Sequence, residues 1–258
     1  MTFSKKLSFQ EKFLRWRKNE GLKGPEAMSR YAFFCFVEAI SFVSSDFVLK
    51  GGNLLWIYTK TPRETVDIDF STLNLNSHKE VREVIDKACS QIKDISFVIE
   101  DFKEMDHENM FGSRFKIKYE STSGASNKFQ VDIVYKLSTD LKKIKTPLTG
   151  QDFMGASLEN IISDKLSAIL SKIEFTTRIK DFDDLWRLSQ SGIDVNKNKL
   201  IELFNLVGIS NPIIDYGKIS RITEKGWNKQ CKRYKDLPSS LEVAVIDINR
   251  WIKSLKVE

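Results

Sequence analysis

Two histidines and three cysteines in 258 residues are too few to organise the molecule. Cys35, Cys89 and Cys231 lie far apart, show no paired spacing and have no histidine near them. This argues against a zinc site and points to a reducing compartment. His78 and His107 fall outside every motif described below and are read as structural. Long apolar runs are also missing. The longest, "YAFFCFVEAISFV", is interrupted by Glu38 and is too short to span a bilayer, so it reads as a buried helix. The N-terminal stretch mixes charge with apolar residues at helical spacing and lacks the uninterrupted apolar core of a signal peptide. A cytoplasmic protein with no membrane partner is expected. Internal repeats and low-complexity tracts are absent as well.

What is present is enough for a packed core. The chain is 41% hydrophobic, which at this length supports one large domain or two modest ones. The 41 Lys and Arg outnumber the 35 Asp and Glu, giving a net charge of +6. Such an excess of bases over a large acidic population permits a polyanionic partner without requiring one.

Periodicity divides the chain. Helices are expected over residues 8–19 and from Pro25, placed as a first-turn proline, to about 44. "FVLK" reads as a buried strand ending at Gly51 and Gly52, followed by a short helix for which Asn53 would be the N-cap. "TVDIDFST" alternates as a strand, with Val66, Ile68 and Phe70 on one face and Asp67 and Asp69 on the other. A helix over 78–92 and strands at "SFVIEDF", "RFKIKYE" and "KFQVDIVYK" follow. Beyond the turn-like "KTPLTG" only helices are expected. The fold class is therefore mixed α/β (α+β), a sheet flanked by helices followed by an α-helical domain. The composition shift near Pro147 sets the expected domains at 1–146 and 147–258.

The stretch "LKGGNLLWIYTKTPRETVDIDFS" carries the chemistry. Side chains two apart on a strand project to one side, so Asp67 and Asp69 present their carboxylates together. Their repulsion is relieved by a cation, and hard oxygen ligands suit magnesium. The plain alternative is the exposed polar face of an edge strand. Against it stands the preceding Lys50-Gly51-Gly52, backbone without bulk at a strand end and helix start, where amides can bind phosphate oxygens. A phosphate cradle and a metal-binding carboxylate pair are what phosphoryl transfer needs.

This stretch resembles the first motif of the AbiEii-type nucleotidyltransferases, toxins of phage-defence and type IV toxin–antitoxin systems within the DNA polymerase β nucleotidyltransferase superfamily. "LENIISDKLSAIL" and "RIKDFDDLWRL" resemble the later motifs, a lysine on one helix and aspartates on the next. The resemblance runs from about residue 49 to 188. It implies a nucleotidyltransferase-fold sheet, with Asp67 and Asp69 as catalytic metal ligands and Lys50, Gly51, Gly52, Asn53 and Arg63 at the nucleotide. Asp132 in "QVDIVY" is the candidate third metal carboxylate, its plain alternative being one polar residue on a half-exposed strand. Many superfamily members carry Gly-Ser where this chain has Gly51 and Gly52, and relatives often have Thr at the Asn53 position, so a hydroxyl contact to phosphate is lost or replaced.

Lys165 lies along an apolar helical stripe with Ile161, Ile162, Ala168 and Ile169, so its amine must reach solvent or meet an anion. The resemblance makes it a phosphate-binding or charge-stabilising residue. Asp181 and Asp184 fall three apart beside a core stripe of Ile179, Phe182, Leu185 and Trp186. They read either as local ion pairs with Arg178, Lys180 or Arg187, or as the essential acidic group of the family motif, with the choice between them open. The run "RITEKGWNKQCKRYKD" interleaves bases with Trp227 and Tyr234, and reads as a solvated helix with buried aromatic feet in preference to an RNA-stacking surface.

The expected activity is magnesium-dependent transfer of a nucleoside monophosphate from an NTP to an acceptor hydroxyl, with two metal ions in the reacting complex. The resemblance suggests a tRNA 3′ end as acceptor, with a cognate antitoxin protein as a further partner. The rivals are a small-molecule, antibiotic-type nucleotidyltransferase and a catalytically silent binding module of the same fold.

Overall fold

The computed structural model describes residues 7–24, 26–107, 110–135 and 140–255. Pro25 lies outside the described residues, as does the His107 side chain. The chain divides into two compact units, one of residues 1–54 and 64–156, the other of residues 55–63 and 157–258.

The first unit is built on a seven-stranded sheet. In chain order its elements are α1 (Phe9–Asn19), α2 (Glu26–Val43), β1 (Phe47–Lys50), the start of α3 (Gly51–Thr59), β2 (Asp67–Thr72), α4 (His78–Gln91), β3 (Ile95–His107), β4 (Met110–Ser121), β5 (Ser126–Val134), β6 (Leu141–Lys145) and β7 (Asp152–Ala156). The spatial order is β3-β4-β5-β2-β1-β7-β6. β2 is thus interior, parallel to β5 and antiparallel to β1. The aspartate strand is not an edge strand.

Alternation sets the two faces of the sheet. Ile68, Phe70, Phe115, Ile117, Phe129, Val131 and Ile133 are buried. Phe129 meets Phe33 and Phe36 of α2 in edge-on contacts at 5.0 and 5.5 Å, which identifies the helix-covered face. The intervening residues Asp67, Asp69, Gln130 and Asp132 are half-buried on the opposite face, with Arg114 and Lys116 exposed there. Val66, expected on the core face, precedes the strand and is exposed.

Ser8 caps α1 through a reciprocal pair of hydrogen bonds with Glu11, and Ser77 caps α4, as helix starts require. α3 begins at Gly51, two residues before the expected cap. Asn53 lies inside the helix, and its side chain is used elsewhere.

Two strands escaped the periodicity. β6 and β7 form an antiparallel hairpin around Pro147, and β7 adds to β1 in parallel. The composition shift near Pro147 thus lies in a turn of the first unit, and helices alone begin only after Ala156. Glu38, the charge interrupting the apolar helix, anchors this turn. Its carboxylate accepts hydrogen bonds from the Thr146 hydroxyl and from the Thr149 amide and hydroxyl at 3.1 and 2.7 Å.

The second unit comprises the end of α3 and the segment to Arg63, then α5 (Leu158–Leu170), α6 (Ile179–Gln190), α7 (Lys197–Leu206), α8 (Arg221–Arg233) and α9 (Leu241–Ser254). Its core centres on Leu166, Phe182, Leu185, Trp227 and Ile248, all fully buried. Among the described residues no helix is long and apolar enough to cross a membrane.

Candidate active site

The first unit gathers acidic groups on the open face of its sheet. The parallel register sets Asp69 opposite Asp132 and Asp67 opposite Gln130, and the antiparallel register sets Asp69 opposite Lys50. The strand therefore brings the expected carboxylates onto one face.

Gly51 explains how Asp69 reaches its place. A Cβ at position 51 would stand 1.9 Å from Asp69 Oδ2, and the backbone there has φ of +67°, a left-handed conformation that favours glycine. The residue lets a carboxylate lie against the first turn of α3, where backbone amides carry partial positive charge. Gly52 is buried in that turn. Asn53 is also buried, and its Nδ2 donates to the Asp67 carbonyl at 2.7 Å. The Asn53 amide, expected at the nucleotide, braces the aspartate strand through this bond.

Asp132 is engaged by a residue that the sequence reading missed. Arg114, opposite it on β4, donates from Nε to Oδ1 at 2.8 Å and from Nη2 to Oδ2 at 3.0 Å, and Gln130 Nε2 donates to Oδ2 at 3.0 Å. Hydrogen bonding to Asp132 holds the Arg114 guanidinium above its ordinary pKa against its desolvation, and the charges of Asp132, Asp67 and Asp69 act in the same direction. Among the described residues no three acidic, histidine or cysteine side chains converge as an ion site. Asp67 and Asp69 nonetheless fit a hard divalent cation. They are oxygen donors on one face, and their negative charges favour the charged form of the nearby Arg114. Asp132 is the weaker candidate, because its oxygens are occupied by Arg114 and Gln130.

The second unit holds its own polar cluster. Asp184 is fully buried and accepts two bonds from Arg63, Nε to Oδ1 at 2.6 Å and Nη2 to Oδ2 at 2.8 Å. Lys165 Nζ lies 2.6 Å from the same Asp184 and 2.8 Å from Asp181 Oδ1. The anion demanded by a lysine on an apolar stripe is therefore supplied by the protein. Asp181 lies nearer solvent and also meets Arg178 at 3.3 Å. Between the two aspartates of the motif, Asp184 is the hub. Arg63, expected at a phosphate, is buried with its guanidinium committed to Asp184.

Burial alone would push the Asp184 carboxyl up, but the charges and hydrogen bonds of Lys165 and Arg63 hold it below its ordinary 3.8. Burial likewise opposes the Lys165 charge, and Asp184 and Asp181 hold its pKa above 10.5. Asp183 was passed over in the sequence because its neighbours carried the motif. It is fully buried and binds Arg187 Nε at 2.5 Å and Gln230 Nε2 of α8 at 2.7 Å. Burial pushes its carboxyl up. On α8, Trp227 is buried with its indole N–H on the Pro238 carbonyl at 3.2 Å, so this ring is a structural foot and not a stacking surface.

A family model described as "Nucleotidyl transferase AbiEii toxin, Type IV TA system" matches residues 36–244. Among solved structures, an H. pylori protein described as "putative nucleotidyltransferase" matches with a TM-score of 0.57 and 14% identity, covering 91% of this chain and 96% of its own. JHP933 from Helicobacter pylori matches with a TM-score of 0.55 and 14% identity, covering 97% of this chain and 93% of its own. At that identity the likeness concerns the fold. No curated protein sequence matches the chain.

Asp184→Asn is expected to destabilise the protein by about 3–5 kcal/mol, because two buried cations lose their shared counter-charge. The native Asp184 pKa is depressed, so its contribution is present above 3.8 and is lost only as pH falls below that value. The Lys165 contribution is complete below 10.5 and is lost as pH rises beyond it. Denaturant titrations should thus show a wild-type to variant gap that is flat through neutrality and narrows below pH 3.8. A gap shrinking already near pH 6 would contradict the assignment. Gly51→Ala should cost about 1–2 kcal/mol for the left-handed backbone and displace the Asp69 carboxylate. A crystal structure of the variant with Asp69 unmoved would refute the packing argument.

Proposed function

We propose, because this chain belongs to the AbiEii nucleotidyltransferase toxin family, that it transfers a nucleoside monophosphate from an NTP to an RNA 3′ hydroxyl with magnesium held by Asp67 and Asp69. The family establishes the enzyme as a nucleotidyltransferase. The metal, the acceptor and a role in growth inhibition are the proposed part. The observation that carries the reading is the Asp67/Asp69 pair on the open face of an interior strand, with Asp69 packed against Gly51.

The reaction is a displacement at the α-phosphorus. A bond forms from the acceptor oxygen to that phosphorus, the bond to the bridging oxygen of the β-phosphate breaks, and pyrophosphate leaves with the electron pair. The hydroxyl proton passes to water. Bound magnesium would supply charge neutralisation for the attacking and leaving oxygens. Asp67 and Asp69 would hold it through their carboxylate oxygens. Asn53 would keep the Asp67 backbone in place through its carbonyl, and Gly51 would keep Asp69 at the first turn of α3. Arg114 would balance the negative charge of Asp132 beside them.

Lys165, Asp181 and Asp184 are proposed as essential on the family motif. Their geometry supports a positioning role within the helical unit, since Lys165 and Arg63 already neutralise Asp184. A cognate antitoxin is a proposed partner on the same family ground. The small-molecule reading differs in one respect, the acceptor. Incubating the protein and magnesium with each labelled NTP, with total tRNA and without RNA, separates the two by whether label enters RNA.

Asp67→Asn and Asp69→Asn should each lower transfer by about 100-fold or more while leaving the fold intact, since each removes a negative charge from a crowded face. Thermal midpoints measured on the assayed preparations exclude loss by unfolding. Transfer at the wild-type rate in either variant would remove the metal-site assignment.

A further inference from the structure

Beside Asp67, the open face of the sheet carries a groove of 350 Å³ lined by four basic side chains, Lys103, Arg114, Lys116 and Lys128, and two acidic ones, Asp67 and Asp101. The registers show how it forms. Lys103 lies opposite Arg114 and Asp101 opposite Lys116 across β3 and β4, while Lys116 lies opposite Gln130 and Lys118 opposite Lys128 across β4 and β5. Arg114, Lys116 and Lys118 thus run in single file along β4. They alternate with the buried Phe115 and Ile117 and end at Glu120.

Charge within the row is not evenly spent. Arg114 is bound to Asp132, Lys128 to Glu100 at 3.2 Å, and Lys103 lies 3.9 Å from Asp101. Lys116 and Lys118 are exposed, and among the described residues neither has an ion-pair partner. Positive charge therefore remains along the middle and far end of the row, while the near end lies level with the carboxylates.

We propose that this row is the track for the sugar–phosphate backbone of a single-stranded RNA acceptor, with phosphates on Lys116 and Lys118 and the strand's 3′ end at Asp67. The inference rests on the nucleotidyl-transfer reading and adds the acceptor's location to it. Three features favour a strand over other anions. Side chains two residues apart on β4 repeat at about 6.7 Å, a step at which successive backbone phosphates can each meet one ammonium. The file from Arg114 to Lys118 runs about 13 Å, longer than one triphosphate needs. The positive charge is strung along one strand and not gathered at a point, which suits a linear polyanion. Phe115 and Tyr119 of β4 and Phe129 of β5 are buried on the other face of the sheet, so the track would grip backbone charge and leave sequence unread.

The test is fluorescence anisotropy of a labelled single-stranded RNA oligonucleotide with the full chain, across a salt series. Lys116→Gln/Lys118→Gln is compared with Lys142→Gln/Lys143→Gln on β6, an exposed pair at the other end of the sheet. The track variant should bind at least 10-fold more weakly, and its log K against log salt slope should fall by about 1.4, two phosphate contacts at 0.7 each. The control should change neither, and thermal midpoints of both should match wild type. Equal RNA binding by the track variant, with wild-type transfer to RNA intact, would overturn the track and leave the activity standing. Weakened NTP binding with unchanged RNA binding would assign the row to the triphosphate and overturn it too. Wild-type protein that neither binds nor labels RNA would overturn both the track and the RNA acceptor.

Discussion

A carboxylate lying where a side chain would otherwise stand governs the acidic face of the first unit. Asp69 occupies the volume a Cβ at position 51 would fill, and only a glycine with a left-handed backbone permits the approach. The interior placement of β2 makes that approach reproducible, because β1 and β5 fix the strand from both sides. Asn53 then ties α3 to the Asp67 carbonyl. Strand end, helix start and aspartate strand behave as one packed piece, and the direction of both carboxylates follows from it. The glycines thus shape the acidic pair directly, whatever they contribute to a phosphate.

Two different economies of charge operate in the two units. On the open sheet face, like charges crowd together and Arg114 moderates them. In the helical unit, Asp184 is removed from water and survives as a carboxylate only because Arg63 and Lys165 both point at it. The first arrangement leaves room for an added cation. The second is closed, with Lys165 and Arg63 both paired to Asp184.

Much of this was legible in residue patterns, and the gaps have identifiable causes. The helical stripes and the aspartate alternation are local, so α1, α4 and the strand from residue 67 to 72 were legible. β6 and β7 did not, because "LKKIK" and "DFMGA" are short and are held by a hairpin and by pairing to β1, partners distant in sequence. Arg63 was expected at the nucleotide and instead pairs with Asp184. Its partner is 121 residues away, and no local signal reports such a pair. Arg114 was hidden in the same way inside an ordinary alternating strand.

By itself the sequence determined which side chains share a face, because pleat and helix periods are properties of the backbone. It therefore determined that Asp67 and Asp69 point together, that Lys165 needs an anion, and that α8 buries its tryptophan. The tertiary structure decided who meets whom across the chain. Parallel pairing set Asp132 beside Asp69 and at once handed its oxygens to Arg114, and folding of the helical unit chose Asp184 over Asp181 as the buried counter-charge. The physical reason is the range of the forces involved. Steric and hydrogen-bonding rules of a few residues read directly from sequence, whereas desolvation and charge pairing depend on neighbours that only the completed fold supplies.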